Sequence, residues 1–400
     1  MKKTVKLLVI LSILSILLTA CSSAERKVEY AQGVTDDTIK VGTVAVREGV
    51  LAFIGEPYLQ GMEAYFKMIN DQGGVNGRKI ELIHIDDEFN PVKALEAVEK
   101  LIYDEKVFAI VGQLGTPGVL ASADVVKEVG IPSVYFGSGA TELTKLGDNF
   151  FPVQPNYQYE GKLKAKFAVE EFKAEKVVIL YQNDDVGRDG LQGFKDGLAG
   201  LGKSDILKAE LAFAATDTDF SVQIQKINEV NPDLIIVYAL SGGVTNFLKE
   251  AEDHSINIPM LTSYSNADAT FLALASPGAP NAILNLHVLG WLDVNEESLK
   301  PLKDAMAKYF PNGSAYNAYT MAGWVAAETF VAGLREAGDD LTWEGYIKAM
   351  ERMVFTEGLA PEISYKPGVR QGVTKMAMSR VIRLENGIYT FELVTDFIEY

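Results

Sequence analysis

The chain has 400 residues, long for one average domain and suited to two. It carries 54 acidic against 37 basic side chains, a formal charge of −17, and no basic stripe, which argues against a nucleic-acid partner. Nearly half of it is hydrophobic, enough for a sizeable core, and its single cysteine rules out an internal disulfide or a cysteine-based zinc site.

In the first 20 residues, Lys2, Lys3 and Lys6 accompany an apolar stretch over 5–18, too short to span a bilayer comfortably. Residues 1–20 read as a secretory signal peptide. The stretch ends in Leu18-Thr19-Ala20-Cys21, which resembles the lipobox of bacterial lipoproteins. That resemblance implies cleavage before Cys21 and lipidation of it. Residues 21–35 then read as a tether between lipid and domain.

A first strand is expected over 38–46, followed by a glycine-containing loop over 47–56. Pro57 opens a helix whose Leu59, Met62, Phe66 and Ile69 share one face. A glycine-rich turn, a strand over 80–86 and a helix from Pro91 follow. Residues 107–111 read as a buried parallel strand, and Gly112 and Gly115 mark a corner. Thr116 is expected as N-cap and Pro117 as the first helical residue, leaving backbone N–H groups free for an anion at the end of a strand. A short strand over 133–136 comes next.

Two prolines over 151–156 break the rhythm and suggest a crossing segment. The alternation restarts with helices expected over 161–172, 191–201, 220–230 and 244–253. Strands are expected over 176–181, 208–213, 234–240 and 259–262. Residues 282–291 read as a second crossing, followed by helices over 298–310, 315–337 and 343–353. The tail reads as an antiparallel hairpin around Asn386-Gly387. The fold class is therefore α/β, with two doubly wound open-sheet lobes.

Chemistry-bearing motifs are sparse. His84, His254 and His287 are scattered, and no nucleophile elbow, phosphate loop or dinucleotide fingerprint appears. Asp86-Asp87-Glu88 reads as a solvated strand exit, with metal or acid–base chemistry as the alternative. Asn183-Asp184-Asp185 either caps the next helix or faces a cleft. The chain reads as a non-enzyme with no cofactor and no metal.

The ordered series GEPYLQGMEAYFKMINDQGGVNGRKIEL, DDEFNP, IVGQLGTPG, GSGATELT, FPVQPNYQYEG and VVILYQNDDVGRDGLQGFKDGL resembles the leucine/isoleucine/valine-binding proteins. These are the substrate-binding subunits of branched-chain amino-acid ABC importers, with the type I periplasmic-binding fold. The resemblance implies a first lobe over 36–153 plus 290–355 and a second over 156–287 plus 362–400. It places three hinge crossings near 152–156, 287–291 and 355–362. It also implies a monomer, lipid-anchored outside the cytoplasm, that binds a small carboxylate-bearing ligand and delivers it to ABC permease subunits. A sensor for a membrane receptor is the alternative use of the same fold.

Carried over residue by residue, the resemblance puts the ligand carboxylate on Gly115 and Thr116. Ser138, Gly139 and Ala140 form the second loop, Phe53 or Ile54 lines the cleft, and Tyr316 does likewise. Where the family has a Glu for the ligand ammonium, this chain has Tyr264. Asp185, Asp268 or Glu56 then replaces the missing charge, or the ligand is an aromatic or aliphatic carboxylate without an amine.

Overall fold

The computed structural model describes residues 30–49 and 51–400. The expected signal peptide, Cys21 and the first part of the expected tether lie outside those residues. The tether does not extend over 30–35, which are packed on the first lobe. There the Ala31 N–H donates to the Leu341 carbonyl at 3.0 Å, and Gln32 Nε2 donates to the Ile102 and Val107 carbonyls.

Five parallel strands build the first sheet: β1 (Thr38–Val44), β2 (Lys79–Ile85), β3 (Ala109–Gln113), β4 (Ser133–Phe136) and β5 (Phe150–Phe151). Their order is β2-β1-β3-β4-β5. Strands β3 and β4 are buried along their whole length, which is why they read as unbroken apolar runs. Helices α1 (Ala52–Asp71), α2 (Pro91–Tyr103) and α3 (Thr116–Val129) connect them.

The second sheet follows the same plan. Its elements are α4 (Tyr157–Glu170), β6 (Val177–Gln182), α5 (Asp185–Gly200), β7 (Leu207–Phe213), α6 (Ser221–Val230) and β8 (Leu234–Tyr238). Then come α7 (Ser241–Asp253), β9 (Met260–Thr262), α8 (Ala269–Ala275) and β10 (Leu286–Gly290). Strands β7-β6-β8-β9-β10 are parallel and repeat the order of the first sheet. The chain next returns to the first lobe with α9 (Glu296–Tyr309), α10 (Ala318–Ala337) and α11 (Trp343–Arg352). Phe330 of α10 meets the rings of Phe66 and Phe108 there, and the indole N–H of Trp343 donates to the Phe108 carbonyl at 2.7 Å.

A small antiparallel pair follows, β11 (Val354–Phe355) with β12 (Ile363–Ser364). The chain ends with β13 (Ala377–Arg383) and β14 (Tyr389–Leu393), an antiparallel hairpin on the edge strand β10. Gly387, with φ of 85°, makes its turn. The third passage between lobes, expected at 355–362, runs on to residue 373. Tyr365 packs edge-on against Phe151 at 5.2 Å and keeps 363–365 on the first lobe. Only then do the Gly372 and Val373 N–H groups donate to the Pro152 and Val153 carbonyls, laying the third connection beside the first.

Several helices begin earlier than their sequence pattern predicts, α1 and α5 by the most. Helix α1 starts at Ala52, so Pro57 lies inside it. Gly55 allows this, because a Cβ there would lie 1.5 Å from the Val46 carbonyl oxygen. Helix α5 starts at Asp185, capped by the Asp184 side chain accepting from the Gly187 N–H. Helix α8 has no counterpart in the sequence reading.

Candidate ligand-binding cleft

Both sheets present the carboxyl ends of their parallel strands to one cavity of about 370 Å³ between the lobes. This is where doubly wound sheets bind ligands, and the volume suits a small molecule. The first lobe contributes Ile54 and Tyr58 beyond β1, Phe89 beyond β2, Leu114 to Pro117 beyond β3, and Gly137 and Ser138 beyond β4. The second contributes Asp184 to Val186 beyond β6, Leu240 beyond β8, and Tyr264, Ser265 and Ala267 beyond β9.

The corner after β3 turns on two glycines with positive φ, Gly112 at 71° and Gly115 at 98°. Gly115, not Thr116, is the N-cap, and Thr116 is the first residue of α3. The Thr116 hydroxyl is therefore not a helix cap. It pairs with the Ser138 hydroxyl at 2.6 Å, joining the loops after β3 and β4. Ser138 Oγ also accepts from the Ala140 N–H at 3.0 Å. The N–H groups of Thr116 and Gly118 donate to no backbone carbonyl, and Pro117 between them has none to donate. Two hydroxyls and the positive end of α3 thus meet at one wall. No Lys, Arg or His lines the cavity among the described residues. An anion placed here would meet hydrogen-bond donors and the helix dipole rather than a cationic side chain.

Gly115, Thr116, Ser138, Asp185 and Tyr264 all line this cavity. Gly139 and Ala140 stand behind Ser138. A Cβ on Gly139 would lie 2.2 Å from the Tyr264 hydroxyl, so a larger residue there would displace that side chain. Phe53 does not line the cleft. The early start of α1 turns it outward, 64% exposed, and Ile54 faces inward. Tyr316 does not line it either. It lies at the surface with Lys303 over its ring, and Tyr319 in the first turn of α10 takes the place inside.

Sequence reasoning missed the aromatic walls. Tyr58, Tyr135, Tyr157, Trp291 and Phe89 face the cavity with Tyr264. Phe89 is the least expected. Glu88 and Phe89 both adopt left-handed backbone, φ of 53° and 57°, a strained pair for residues with side chains. The acidic cluster holds them there. Asp86 accepts from the Glu88 N–H at 2.7 Å, and Asp87 accepts from the Phe89 N–H at 3.0 Å. The Asp86-Asp87-Glu88 run is therefore a turn that aims Phe89 at Gly115, where an added Cβ would lie 2.5 Å from the ring.

The site for an ammonium is poorer. The Tyr264 hydroxyl is already engaged, donating to the Pro155 carbonyl and accepting from Gln154 Nε2, each at 3.0 Å. Glu56 pairs with Arg47 at 2.8 Å outside the cavity. Asp268 also lies off the cavity wall, bound to two backbone N–H groups. Asp185 is at the rim, largely exposed and paired with Arg188 at 3.4 Å. Asp184 lines the wall while capping α5, so the Asn183-Asp184-Asp185 run both caps and faces the cleft. Behind Tyr264, the buried Glu160 accepts from the Tyr264 N–H at 2.9 Å and the Ser263 hydroxyl at 3.0 Å. Lys164 lies 3.1 Å from it, and burial pulls that ammonium down to about 8.

The family model for periplasmic binding proteins matches residues 38–387. The chain belongs to that family. Among curated relatives it is similar to the Leu/Ile/Val-binding protein of Escherichia coli K12, at 22% identity across 78% of this chain and 83% of the relative. Among solved structures it resembles a fatty acid ABC transporter substrate-binding protein from Thermomonospora curvata. The TM-score is 0.76 at 24% identity, covering 94% of this chain and 96% of that one. It also resembles an ABC-transporter solute-binding protein of R. palustris in complex with benzoate. That TM-score is 0.71 at 20% identity, covering 91% and 98% of the two chains. These likenesses carry the type I periplasmic-binding fold, two parallel-sheet lobes around a cleft.

Proposed function

We propose that this chain is an extracytoplasmic solute-binding subunit of an ABC importer. In this reading a lipid on Cys21 anchors it, and its lobes close over a small apolar carboxylate. The observation that carries the reading is the pair of hydroxyls, Thr116 and Ser138, at the N-terminus of α3 on the wall of an aromatic cavity that no Lys, Arg or His among the described residues lines. The ligand docks its carboxylate there, and closure of the second lobe excludes water and strengthens those bonds.

An acid without an amine fits best, and an aromatic ring matches the walls. Position 264 offers a hydroxyl that is already satisfied, and a buried ammonium without an anion is costly. The relatives that bind a fatty acid or benzoate by their names support this class. A second reading, a hydrophobic amino acid, rests on Asp184, a carboxylate on the cavity wall, and on the similarity to the Leu/Ile/Val-binding protein.

Native mass spectrometry of the full chain purified from its own cells, followed by release of the bound molecule, tests the assignment. The expected product is a small carboxylic acid lacking an amine. A retained amino acid selects the second reading, and a ligand with no carboxyl group contradicts both.

A further inference from the structure

Opening the cleft breaks interlobe bonds that lie away from the hinge connections. One such bond stands out at the start of α10. A helix leaves its first four N–H groups without intrahelical acceptors. Here the Asn317 side chain accepts from Tyr319 and Thr320, at 2.9 and 3.2 Å, and the Asn317 carbonyl accepts from Met321 at 3.1 Å. The Ala318 N–H, at the first helical position, donates across the cleft to Oδ2 of Asp268 at 2.9 Å.

Asp268 belongs to the second lobe, where its other oxygen, Oδ1, caps α8 by accepting from the Phe271 N–H at 2.7 Å. The carboxylate is buried, only 7% exposed, and has no ion-pair partner among the described residues. One side chain thus gives one oxygen to a helix of each lobe. Asp189 of α5 makes a comparable bond, accepting from the Thr141 N–H of the first lobe at 2.8 Å.

We propose that Asp268 is a positioning residue for ligand capture. It clasps the start of α10 to the second lobe when the cleft is shut, and so sets the closed population and the retention of ligand without touching the ligand. The proposal rests on the closure reading above. A hydrogen bond to a charged acceptor in a dry interface is among the stronger ones, and this bond exists only in the closed form. It therefore shifts the open–closed balance by its full net worth.

Two substitutions separate the latch from the fold. Asp268→Asn keeps one oxygen for the α8 cap and turns an amide NH₂ toward the Ala318 N–H. Ala318→Pro removes the donor from the other side. Proline is tolerated at a first helical position, and Asn317, with ψ of 131°, has the backbone a residue before proline needs. Nitroxides placed at Val92→Cys and Val222→Cys, exposed sites on opposite lobes, report the separation by pulsed electron resonance. The full chain is used with Cys21→Ser, both without added acid and with a mixture of benzoate, phenylalanine and leucine.

Each variant should lower the closed-to-open ratio about tenfold in whichever condition the parent closes, with unchanged helical content. The double variant should recover part of that loss, because proline removes the N–H that the asparagine amide opposes. A closed fraction equal to the parent's in both variants overturns the latch, as does a parent that is closed in neither condition. Should the mixture leave the parent's distances unchanged while the variants still differ without it, the ligand class fails and the latch stands.

Discussion

Thr116 and Ser138 are joined by one short hydroxyl pair, yet they sit 22 residues apart on two loops. Replacing Thr116 with valine keeps the shape and removes one donor to the ligand carboxylate. Binding of the cognate acid should weaken about tenfold to a hundredfold by titration, with little change in melting temperature. Gly115→Ala acts on backbone and wall together. Its φ of 98° disfavours a side chain, and the new methyl group would press on Phe89. A stability loss of roughly 1–3 kcal/mol is expected in urea unfolding, with weaker ligand binding. The glycine corner after β3 was legible in the sequence because a strand, two glycines and Thr-Pro are a local pattern. Phe89 was not, and Ile54 was named only as the alternative to Phe53, because their placement depends on a strained turn and on where α1 begins. Neither leaves a periodic trace.

At the scale of elements, long apolar strands and regular helices were readable from alternation and periodicity. Helix α8 was not. Its seven residues, ATFLALA, are too few to display a period, and its start depends on the Asp268 cap. The third interlobe connection was placed too early for a similar reason, since β11, β12 and Tyr365 hold it to the first lobe by contacts distant in sequence. Between α4 and the loop after β9, Glu160 and Lys164 form a fully buried ion pair that fixes the backbone of Tyr264. Glu160→Gln strands the Lys164 charge, and chemical unfolding should show a loss of about 3–5 kcal/mol. Adding Lys164→Met to it should restore most of that stability.

Across the whole molecule, a buried acid lies where α10 meets the segment after β11. Glu328 of α10 accepts from the Trp324 indole N–H and from the Leu359 N–H of the third connection, each at 3.0 Å. Burial pushes its carboxyl up to about 8, above the ordinary value of 4.5. The folded chain therefore holds a proton that the unfolded chain has released across that interval. Stability from this group is fully present below about pH 4.5 and falls as pH rises toward 8. Urea midpoints of the parent should drop between pH 5.5 and 8.5 relative to those of Glu328→Gln, which lacks the titrating group. Parallel pH curves for the two chains would contradict the assignment.

The two lobes repeat one strand order, and both sheets face one cavity, so the proposed ligand would contact both lobes at once. Calorimetric titration of the full chain, unfolded and refolded to strip its ligand, tests that claim most directly. Benzoate and leucine are compared on the parent and on Thr116→Val. The account predicts that benzoate binds the parent, that leucine binds weakly or not at all, and that Thr116→Val loses at least tenfold in benzoate affinity while melting like the parent. Failure of both ligands to bind, or equal benzoate affinity in the parent and Thr116→Val, would contradict it.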